Sequence, residues 1–395
     1  MTYSGALRQR ILVLIEYYLP GYRGGGTIRS LANLIDSMGD ELEFFVLTTD
    51  RDWRSATPYP GIVRGQWQPV GKAMVRYLAP RERSFRRLGQ IIRDTPHDLL
   101  YFSSVFTPRS TILPLLLRRL GRIGDRPVVL GPRGEFSPGA IRIRGLKKRT
   151  YLRVAKALGF FRGVVWQAST ELEREDIRRE ISPDAEIVEA IDFSPSYENW
   201  TQGVSRTPKQ PGAARLCFVS RISPKKNLLF ALELLRGIPA PVTLDIYGPV
   251  EAGHWAECEA VIATLPANVR ATSHGPVSYA DLGPLLAQYD LFLFPTLGEN
   301  FGHTIVEALA AGCPVLVSDQ TPWRELQAAG VGWDLPLDGP DAFRRAIGEI
   351  IAMPEAAHAE MRRKAREFAL RVSDPRPAIE ENRALFQHAL QRTRR

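Results

Sequence analysis

The sequence predicts an α/β fold in two domains, each built around a mostly parallel sheet. Three observations support this prediction. The chain has 395 residues, enough for two domains with separate cores. Short apolar segments alternate with longer helical stretches in both halves, as strands joined by crossover helices do. Residues 194–215 are rich in Pro, Gly, Ser and charge, lack an apolar period and separate the two halves.

Eight apolar segments are predicted as strands, four on each side of this boundary. The first four are residues 11–15, 43–49, 98–104 and 127–132, and the second four are residues 215–220, 242–248, 291–295 and 314–318. This alternation indicates two Rossmann-like domains. We expect an N-terminal domain over residues 1–200, a linker over 201–213, a second domain over 214–373 and a charged helical tail over 374–395.

Composition narrows the class of protein. The apolar fraction of 44% is that of an ordinary globular chain, and no apolar run approaches the roughly 20 residues of a membrane span. The run Ile11–Leu19 contains Glu16 and ends at Pro20, which favours a strand over a signal peptide. Three scattered cysteines indicate a reducing compartment and no disulfide framework. We therefore expect a cytoplasmic protein.

Positive charge is concentrated in the first half. Residues 1–212 contain 33 Lys and Arg against 22 Asp and Glu, whereas the remainder contains 19 against 21. The most basic stretches are residues 81–93 and 142–162. The second interleaves six apolar residues with cations, namely Leu146, Tyr151, Leu152, Val154, Leu158 and Phe161. Such a helix can lie on an anionic membrane surface, although a solvated helix packed on its own domain gives the same pattern. No nucleic-acid motif accompanies the charge, so we expect no nucleic-acid partner.

The most informative segment is residues 290–319, which has the pattern of strand, polar loop, short helix and second strand. Its loop lies at the carboxyl end of a strand, where open parallel sheets bind ligands. Glu299 lies in this loop and Glu307 lies in the otherwise apolar helix. Because a buried carboxylate without partners is unfavourable, Glu307 is expected to accept hydrogen bonds from ligand hydroxyls. An internal ion pair or a loop cap is the alternative.

The start of the same helix predicts an anion site. Gly302 removes side-chain bulk there, and open amides with the helix dipole behind them attract anions. An anion site with a carboxylate one turn further along suits a phosphorylated sugar or a nucleotide.

Three further loops follow predicted strands. Arg221 and Lys226 follow residues 215–220 and could neutralise a departing diphosphate, solvated loop charge being the alternative. Glycines at positions 24–26 precede a helix and would let the backbone approach phosphate, a plain flexible loop being the alternative. Gly248 ends the strand at residues 242–248, where a simple turn is also sufficient.

The segment "GENFGHTIVE", with Glu299 and Glu307 separated by seven residues, resembles the signature of retaining family-four glycosyltransferases, also called group one. Those enzymes have the GT-B fold, two Rossmann-like α/β domains facing a central cleft. The segments "PGYRGGGTIRSLANL", "GPRGEFSPGA" and "SRISPKKNLLFALELL" are together similar to members from bacterial surface-polysaccharide pathways. The resemblance covers nearly the whole chain and is strongest in its second half.

The resemblance implies a role for each candidate position. Arg221 and Lys226 would stabilise the departing diphosphate, and Glu299 would contact hydroxyls of the donor sugar. Glu307 would hold the nucleotide ribose. The full set expected to bind the donor is Gly25, Gly26, Gly248, Asn300, Phe301, Gly302, His303, Thr304 and Glu307.

Acceptor binding and metal use are less defined. Many members of the family carry a histidine in a first-domain loop near the reacting carbon, and none occurs at that place, so Arg133 and Glu135 are the substitutes we expect on the acceptor side.

GT-B enzymes use cationic side chains and helix termini where the other major glycosyltransferase fold uses a metal. We therefore expect neither a metal nor another cofactor and interpret Asp50 and Asp52 of "DRD" as turn residues.

The sequence thus predicts a retaining, metal-independent glycosyltransferase of polysaccharide biosynthesis. It would move a hexosyl-type group from a nucleotide diphosphate sugar to a lipid-linked or glycan acceptor, with peripheral contact at the inner face of the membrane. A phosphorylase or an epimerase of the same fold is one alternative, although no segment suggests the pyridoxal phosphate lysine of a phosphorylase. The other alternative is a non-catalytic protein that binds nucleotides or anionic surfaces.

Overall fold

A computed structural model describes residues 8–143 and 145–392 of the chain. They form two compact units. The first runs to Ser194 and is completed by the segment from Pro375, and the second spans Pro195–Asp374. The unit boundary lies earlier than the linker expected at residues 201–213, because Tyr197 is buried in the core of the second unit.

The first unit is built on a sheet whose strand order, among the described residues, is β3-β4-β2-β1-β5-β6-β7-β8. All neighbours pair in parallel except β3 and β4. The strands are β1 Arg10–Leu14, β2 Glu43–Thr49, β3 Trp67–Val70, β4 Ala73–Leu78, β5 Leu99–Phe102, β6 Val128–Leu130, β7 Val164–Ala168 and β8 Ile187–Glu189. The helices before the boundary are α1 Gly26–Met38, α2 Phe85–Asp94, α3 Leu113–Arg119, α4 Pro138–Arg142, α5 Gly145–Ala157 and α6 Glu171–Glu180.

The second unit holds a parallel sheet with the order β11-β10-β9-β12-β13-β14 among the described residues. The strands are β9 Ala214–Val219, β10 Val242–Tyr247, β11 Val269–Gly275, β12 Leu291–Phe294, β13 Val315–Ser318 and β14 Gly332–Leu335. The helices are α7 Leu228–Leu235, α8 Ala252–Ile262, α9 Tyr279–Leu286, α10 His303–Ala310, α11 Pro340–Ala352 and α12 Glu355–Val372. Helix α13, Pro375–Arg392, then returns to the first unit.

The core of the first unit has two layers because its central strands are buried on both faces. In β1, Leu12 and Leu14 face one apolar cluster, and Ile11 and Val13 face the other, as the two-residue repeat of a strand requires. Helix α13 adds Phe386 and neighbouring residues to the second cluster. The tail predicted at residues 374–395 therefore contributes to the first unit's core over its described part.

All eight predicted strands are present, and the structure adds β3, β4, β7, β8, β11 and β14. Most of the added strands lie at or near sheet edges. In the second unit, the chain proceeds outward from β9 in one direction and from β12 in the other. The switch point, where the direction reverses, therefore lies between β9 and β12. Open α/β sheets bind ligands at this point.

The described helices include none that is both long and apolar enough to cross a membrane. The three cysteines, Cys217, Cys258 and Cys313, are free thiols and buried.

Candidate functional site

The loops after β9 and β12 form the candidate site of the second unit. The two strands are neighbours in the sheet, so their carboxyl ends bring residues from two distant parts of the sequence together. Lys226 follows β9, and its Nζ donates to both carboxylate oxygens of Glu299, at 2.7 and 2.8 Å. The side chains are 16% and 10% exposed, so both lie close to the surface. Two predicted catalytic residues are thus in direct contact.

Glu299 is further held by Thr296, which is fully buried. The Thr296 hydroxyl donates to Oε1 of Glu299 at 2.8 Å. Burial by itself would raise the pKa of Glu299. The positive charges of Lys226 and Lys225, with the hydrogen bonds from Lys226 and Thr296, outweigh it and hold this pKa below its ordinary value. Glu299 is therefore ionised at neutral pH and acts only as a hydrogen-bond acceptor.

The loop that carries Lys226 is fastened to the end of β12. Residues Pro224–Lys226 form a single 3-10 turn, which ends at Asn227 in the left-handed conformation, with φ of 60°. The Asn227 side-chain amide donates to the Pro295 carbonyl at 2.9 Å. The Leu297 amide donates to the Lys225 carbonyl at 2.8 Å. These bonds fix the position of the Lys226 backbone relative to Glu299.

Helix α10 begins beside this ion pair. Gly302 occupies its N-cap position in the left-handed conformation, with φ of 81°, which glycine adopts without strain. The preceding carbonyl, that of Phe301, accepts from Nε1 of Trp323 at 2.5 Å. The rings of Phe301 and His303 lie 4.8 Å apart. The first turn of α10 is therefore rigidly placed, and its amino end presents backbone amides that are suited to an anion.

Glu307 lies one turn into α10 and is completely buried. Apolar residues surround it along the helix, among them Val306 and Ala308, which are also fully buried. Asn300 and Thr304 are half-buried beside the N-cap. The predicted donor-binding residues from 300 to 307 therefore form one continuous segment around the start of α10.

Arg221 and Gly248 lie on neighbouring loops, after β9 and β10. Gly248 has φ of 136°, and a Cβ atom at this position would lie 1.8 Å from the Ser220 carbonyl oxygen. No residue other than glycine fits there. Ile222 and Val250 then form an isolated parallel bridge that keeps the loops together. Arg221 itself is half-buried in this paired segment.

Sequence reasoning missed three residues that shape the site, namely Thr296, Asn227 and Trp323. Thr296 lies three residues before Glu299, and Asn227 directly follows Lys226. Closeness in the sequence to a predicted catalytic residue was therefore the signal that could have found them. The contact from Trp323 joins positions 22 residues apart, and nothing local indicates it.

In the first unit, Gly25 is the N-cap of α1 with φ of 83°, and Gly26 is the first residue of that helix. The loop before them is tied down by Asp52, whose Oδ2 accepts from the amides of Tyr22 and Arg23 at 3.1 and 3.2 Å. The glycine segment is thus a built turn at a helix start. Backbone amides at a helix start can bind an anion.

Asp50, the other carboxylate of the "DRD" segment, is fully buried and pairs with two arginines. Its oxygens lie 2.8 Å from Nε of Arg51 and 3.2 Å from Nε of Arg64. Both aspartates therefore bind groups of their own unit.

The Arg133 side chain, expected on the acceptor side, lies in the interior of the first unit. Its guanidinium is buried and pairs with Asp192, the two side chains being 6% and 4% exposed. It also donates to the Tyr101 hydroxyl and, at 3.3 Å, to Oε1 of Gln167. Asp192 accepts in addition from the Ser30 hydroxyl at 3.1 Å. These contacts commit the Arg133 side chain to the interior of its own unit.

Glu135 is occupied in a similar way. Its carboxylate accepts from the Ser104 hydroxyl at 2.9 Å and from the amides of Val105 and Phe106 at 2.6 and 3.3 Å. Burial raises the pKa of Glu135, although these hydrogen bonds oppose the rise. The side chain fastens the loop after β5, so its geometry does not support the expected contact with an acceptor.

The comparisons with known proteins agree with this geometry. The model of the family described as glycosyl transferases group 1 matches residues 204–369. A phosphatidyl-myo-inositol mannosyltransferase of Mycobacterium tuberculosis is 37% identical over 84 residues, which are 20% of this chain and 22% of that protein. A D-inositol 3-phosphate glycosyltransferase of a Mycobacterium species is 27% identical over 204 residues, 46% of each chain. The chain thus spans between about a fifth and a half of the length of these curated relatives.

Solved structures share the fold over almost the entire chain. HepE of Anabaena, in complex with UDP and glucose, superposes with a TM-score of 0.67 at 18% identity, covering 96% of this chain and 99% of that one. The sucrose-phosphate synthase of Thermosynechococcus elongatus has a TM-score of 0.72 at 16% identity, with the same coverage. The chain therefore has the GT-B fold, and most of its second unit matches the group 1 glycosyl transferases.

Proposed function

We propose that the protein is a retaining glycosyltransferase that transfers a hexosyl-type group from a nucleotide diphosphate sugar. The observation that carries this proposal is the contact between Lys226 and Glu299 at the switch point of the second sheet, beside the start of α10. This arrangement offers a cation for a diphosphate, an acceptor for sugar hydroxyls and helix amides for a further anionic group. The family match over residues 204–369 supports the same activity.

The chemistry proposed for this site is a front-face substitution. The bond between the anomeric carbon and the diphosphate oxygen breaks, and the acceptor oxygen forms a bond to the same face of that carbon. The acceptor proton passes to the departing phosphate, so no enzymic nucleophile or metal is required. Lys226 and Arg221 would stabilise the charge that develops on the leaving group, and Glu299 would orient the sugar.

Glu307 is proposed to hold the ribose of the donor. A buried carboxylate in an apolar helix is unfavourable unless hydroxyls or other donors compensate it, and a ribose supplies two adjacent hydroxyls. The amide groups at the start of α10, after Gly302, would lie along the sugar and the diphosphate. Gly25, Gly26 and Gly248 would border the donor through their backbones.

The test is a panel of nucleotide diphosphate sugars that differ in base and sugar, beginning with UDP-glucose. Thermal stabilisation and slow release of free nucleotide are measured for each donor. We expect one base to stabilise the protein, and we expect Glu307→Gln, which keeps the side-chain volume, to weaken that nucleotide's binding. Glu349→Gln, at an exposed position of α11, is the matched control. A well-folded protein that is stabilised by no donor would contradict the proposal.

The acceptor is proposed to be a lipid-linked or glycan molecule, as in polysaccharide biosynthesis. Two mycobacterial relatives are named for inositol-containing substrates, and one of these is a phosphatidylinositol lipid. Helix α5 favours a membrane-linked acceptor, because Leu146 is 83% exposed and Val154 is 51% exposed. They lie among exposed Lys147 and Arg153, while Leu152 packs into the unit. A peripheral position at the inner face of the membrane follows from this proposal.

Two other functions are distinguished by the same experiment. An epimerase of GT-B fold would convert a nucleotide sugar to an altered sugar without an added acceptor. A phosphorylase would need a glycan and inorganic phosphate and would leave a sugar phosphate. A binding protein would be stabilised by a nucleotide and release none. Contact between Lys226 and Glu299, both catalytic candidates, favours a transferase over the binding protein.

A further inference from the structure

Three arginines of the first unit converge on a surface cavity between α2 and α3. The cavity has a volume of about 560 Å³. Its lining residues are Phe85, Arg86, Gly89, Arg93, Leu117 and Arg122. None of the described residues that line it is acidic. It lies wholly within one unit and uses none of the residues assigned to the donor.

The cavity is a built feature of the packing between the two helices. Gly89 lies in the middle of α2, where glycine is less favourable for a helix than alanine. A Cβ atom at this position would lie 3.3 Å from Cδ2 of Leu117, so glycine allows the close approach of the helices. Nη1 of Arg93 donates to the Arg122 carbonyl at 2.8 Å, which fixes one guanidinium at the rim.

The charge of these arginines is not balanced by neighbouring carboxylates. Among the residues that the structure describes, Arg86, Arg93 and Arg122 form no ion pair. Other arginines of the same unit do, including Arg118, which lies 3.0 Å from an oxygen of Asp125. Three like charges around one cavity repel each other, and a bound anion would remove this repulsion.

We propose that this cavity is a binding site for a phosphate-bearing ligand, separate from the donor loops. Guanidinium groups match the geometry of phosphate oxygens and bind them through paired hydrogen bonds. Phe85, 40% exposed, and Leu117 add an apolar wall suited to an uncharged part of the same ligand. The phosphate belongs either to a soluble compound or to a lipid headgroup. This site does not depend on the proposed transferase activity.

Isothermal titration of the full chain with inorganic pyrophosphate tests the site. The double variant Arg86→Gln/Arg122→Gln is expected to lose one binding event or to weaken it by about tenfold for each arginine. The matched control is Arg87→Gln, because Arg87 lies on the same helix, donates to Gln90 and does not line the cavity. Lys226→Ala, which affects the donor loops, is expected to keep this binding event.

A second arm identifies the source of the phosphate. Vesicles of phosphatidylcholine with and without phosphatidic acid are tested by sedimentation with the same variants. If the protein binds only vesicles that contain phosphatidic acid, and the double variant loses this binding, the result would support the proposed site and identify a lipid headgroup as its ligand. If the double variant and Arg87→Gln bind pyrophosphate and vesicles as the unaltered protein does, the proposal is overturned.

Discussion

Each unit carries an ion pair in the loops at the carboxyl edge of its sheet, and the two pairs differ in their surroundings. Arg133 and Asp192 in the first unit are enclosed, and other polar side chains bind both partners. Lys226 in the second unit contacts Glu299 and the ring face of Phe294, 5.3 Å away, and remains partly exposed. A cation after a strand can thus be fixed within the fold or available to a ligand. Removing Arg133 should therefore lower mainly the stability of the protein, and removing Lys226 should lower mainly its activity.

The largest effect is expected for Lys226→Ala. Turnover should fall by roughly two to four orders of magnitude, because a positioned charge no longer stabilises the leaving group. The melting temperature should fall less than when Arg133 is removed, because the side chains of Lys226 and Glu299 are more exposed than those of Arg133 and Asp192. Initial rates and thermal unfolding measure the two effects. Lys364→Ala, at an exposed position of α12, is the control. Near-normal turnover in Lys226→Ala would show that its charge has no role in the reaction.

Arg133→Met should give the opposite pattern. It leaves Asp192 buried without its cation, so the free energy of unfolding of the first unit should fall by about 3–5 kcal/mol. Urea unfolding monitored by fluorescence measures this change. The variant Arg133→Met/Asp192→Leu removes both charges and should recover most of the loss. A loss below about 1 kcal/mol in the single variant would mean that the pair is not needed for the fold.

The pH dependence of stability should differ in sign between the units. Since the pKa of Glu299 is lowered, its ionised form contributes stability above the ordinary carboxyl pKa, and this stability is lost as the pH falls through the lowered value. Glu173 of α6 accepts from the amides of Gly134 and Ser169. Burial raises its pKa, so its contribution to stability is full below the ordinary carboxyl pKa and is lost as the pH rises through the raised value. The melting temperatures of Glu299→Gln and Glu173→Gln are measured from acidic to neutral pH. The difference in melting temperature from the unaltered protein should change with pH in opposite directions for the two variants. A difference that is independent of pH in both variants would contradict this prediction.

The smallest effect is expected for Thr296→Val. The change removes the hydroxyl that donates to Glu299 and keeps the shape of the side chain. Loss of one hydrogen bond to a charged group should lower kcat/KM by roughly tenfold. Thr296→Ser should restore the activity because it retains the hydroxyl. If Thr296→Val has unchanged kcat/KM, Glu299 is oriented by Lys226 alone.

The central strands and the candidate donor loops could be predicted because their signals are local. Buried strands are apolar runs, and Arg221, Lys226, Glu299 and Glu307 follow or lie near such runs. Arg133 also follows a strand, so local sequence could not distinguish it from Lys226. Its partner Asp192 lies far away in the sequence, and only the packed structure brings the two together. Edge strands such as β11 were missed because their side chains are largely exposed.

Helix α13 determines when the first unit can be completed during synthesis. Phe386 of this helix packs edge-on against Tyr101, and Asn382 donates to the Ile191 carbonyl at 3.0 Å. These contacts need a segment that leaves the ribosome after the whole of Pro195–Asp374. The second unit is contiguous in sequence and can fold while it emerges. The first unit is begun earlier and is completed later. Until then the apolar residues that α13 covers stay exposed to solvent.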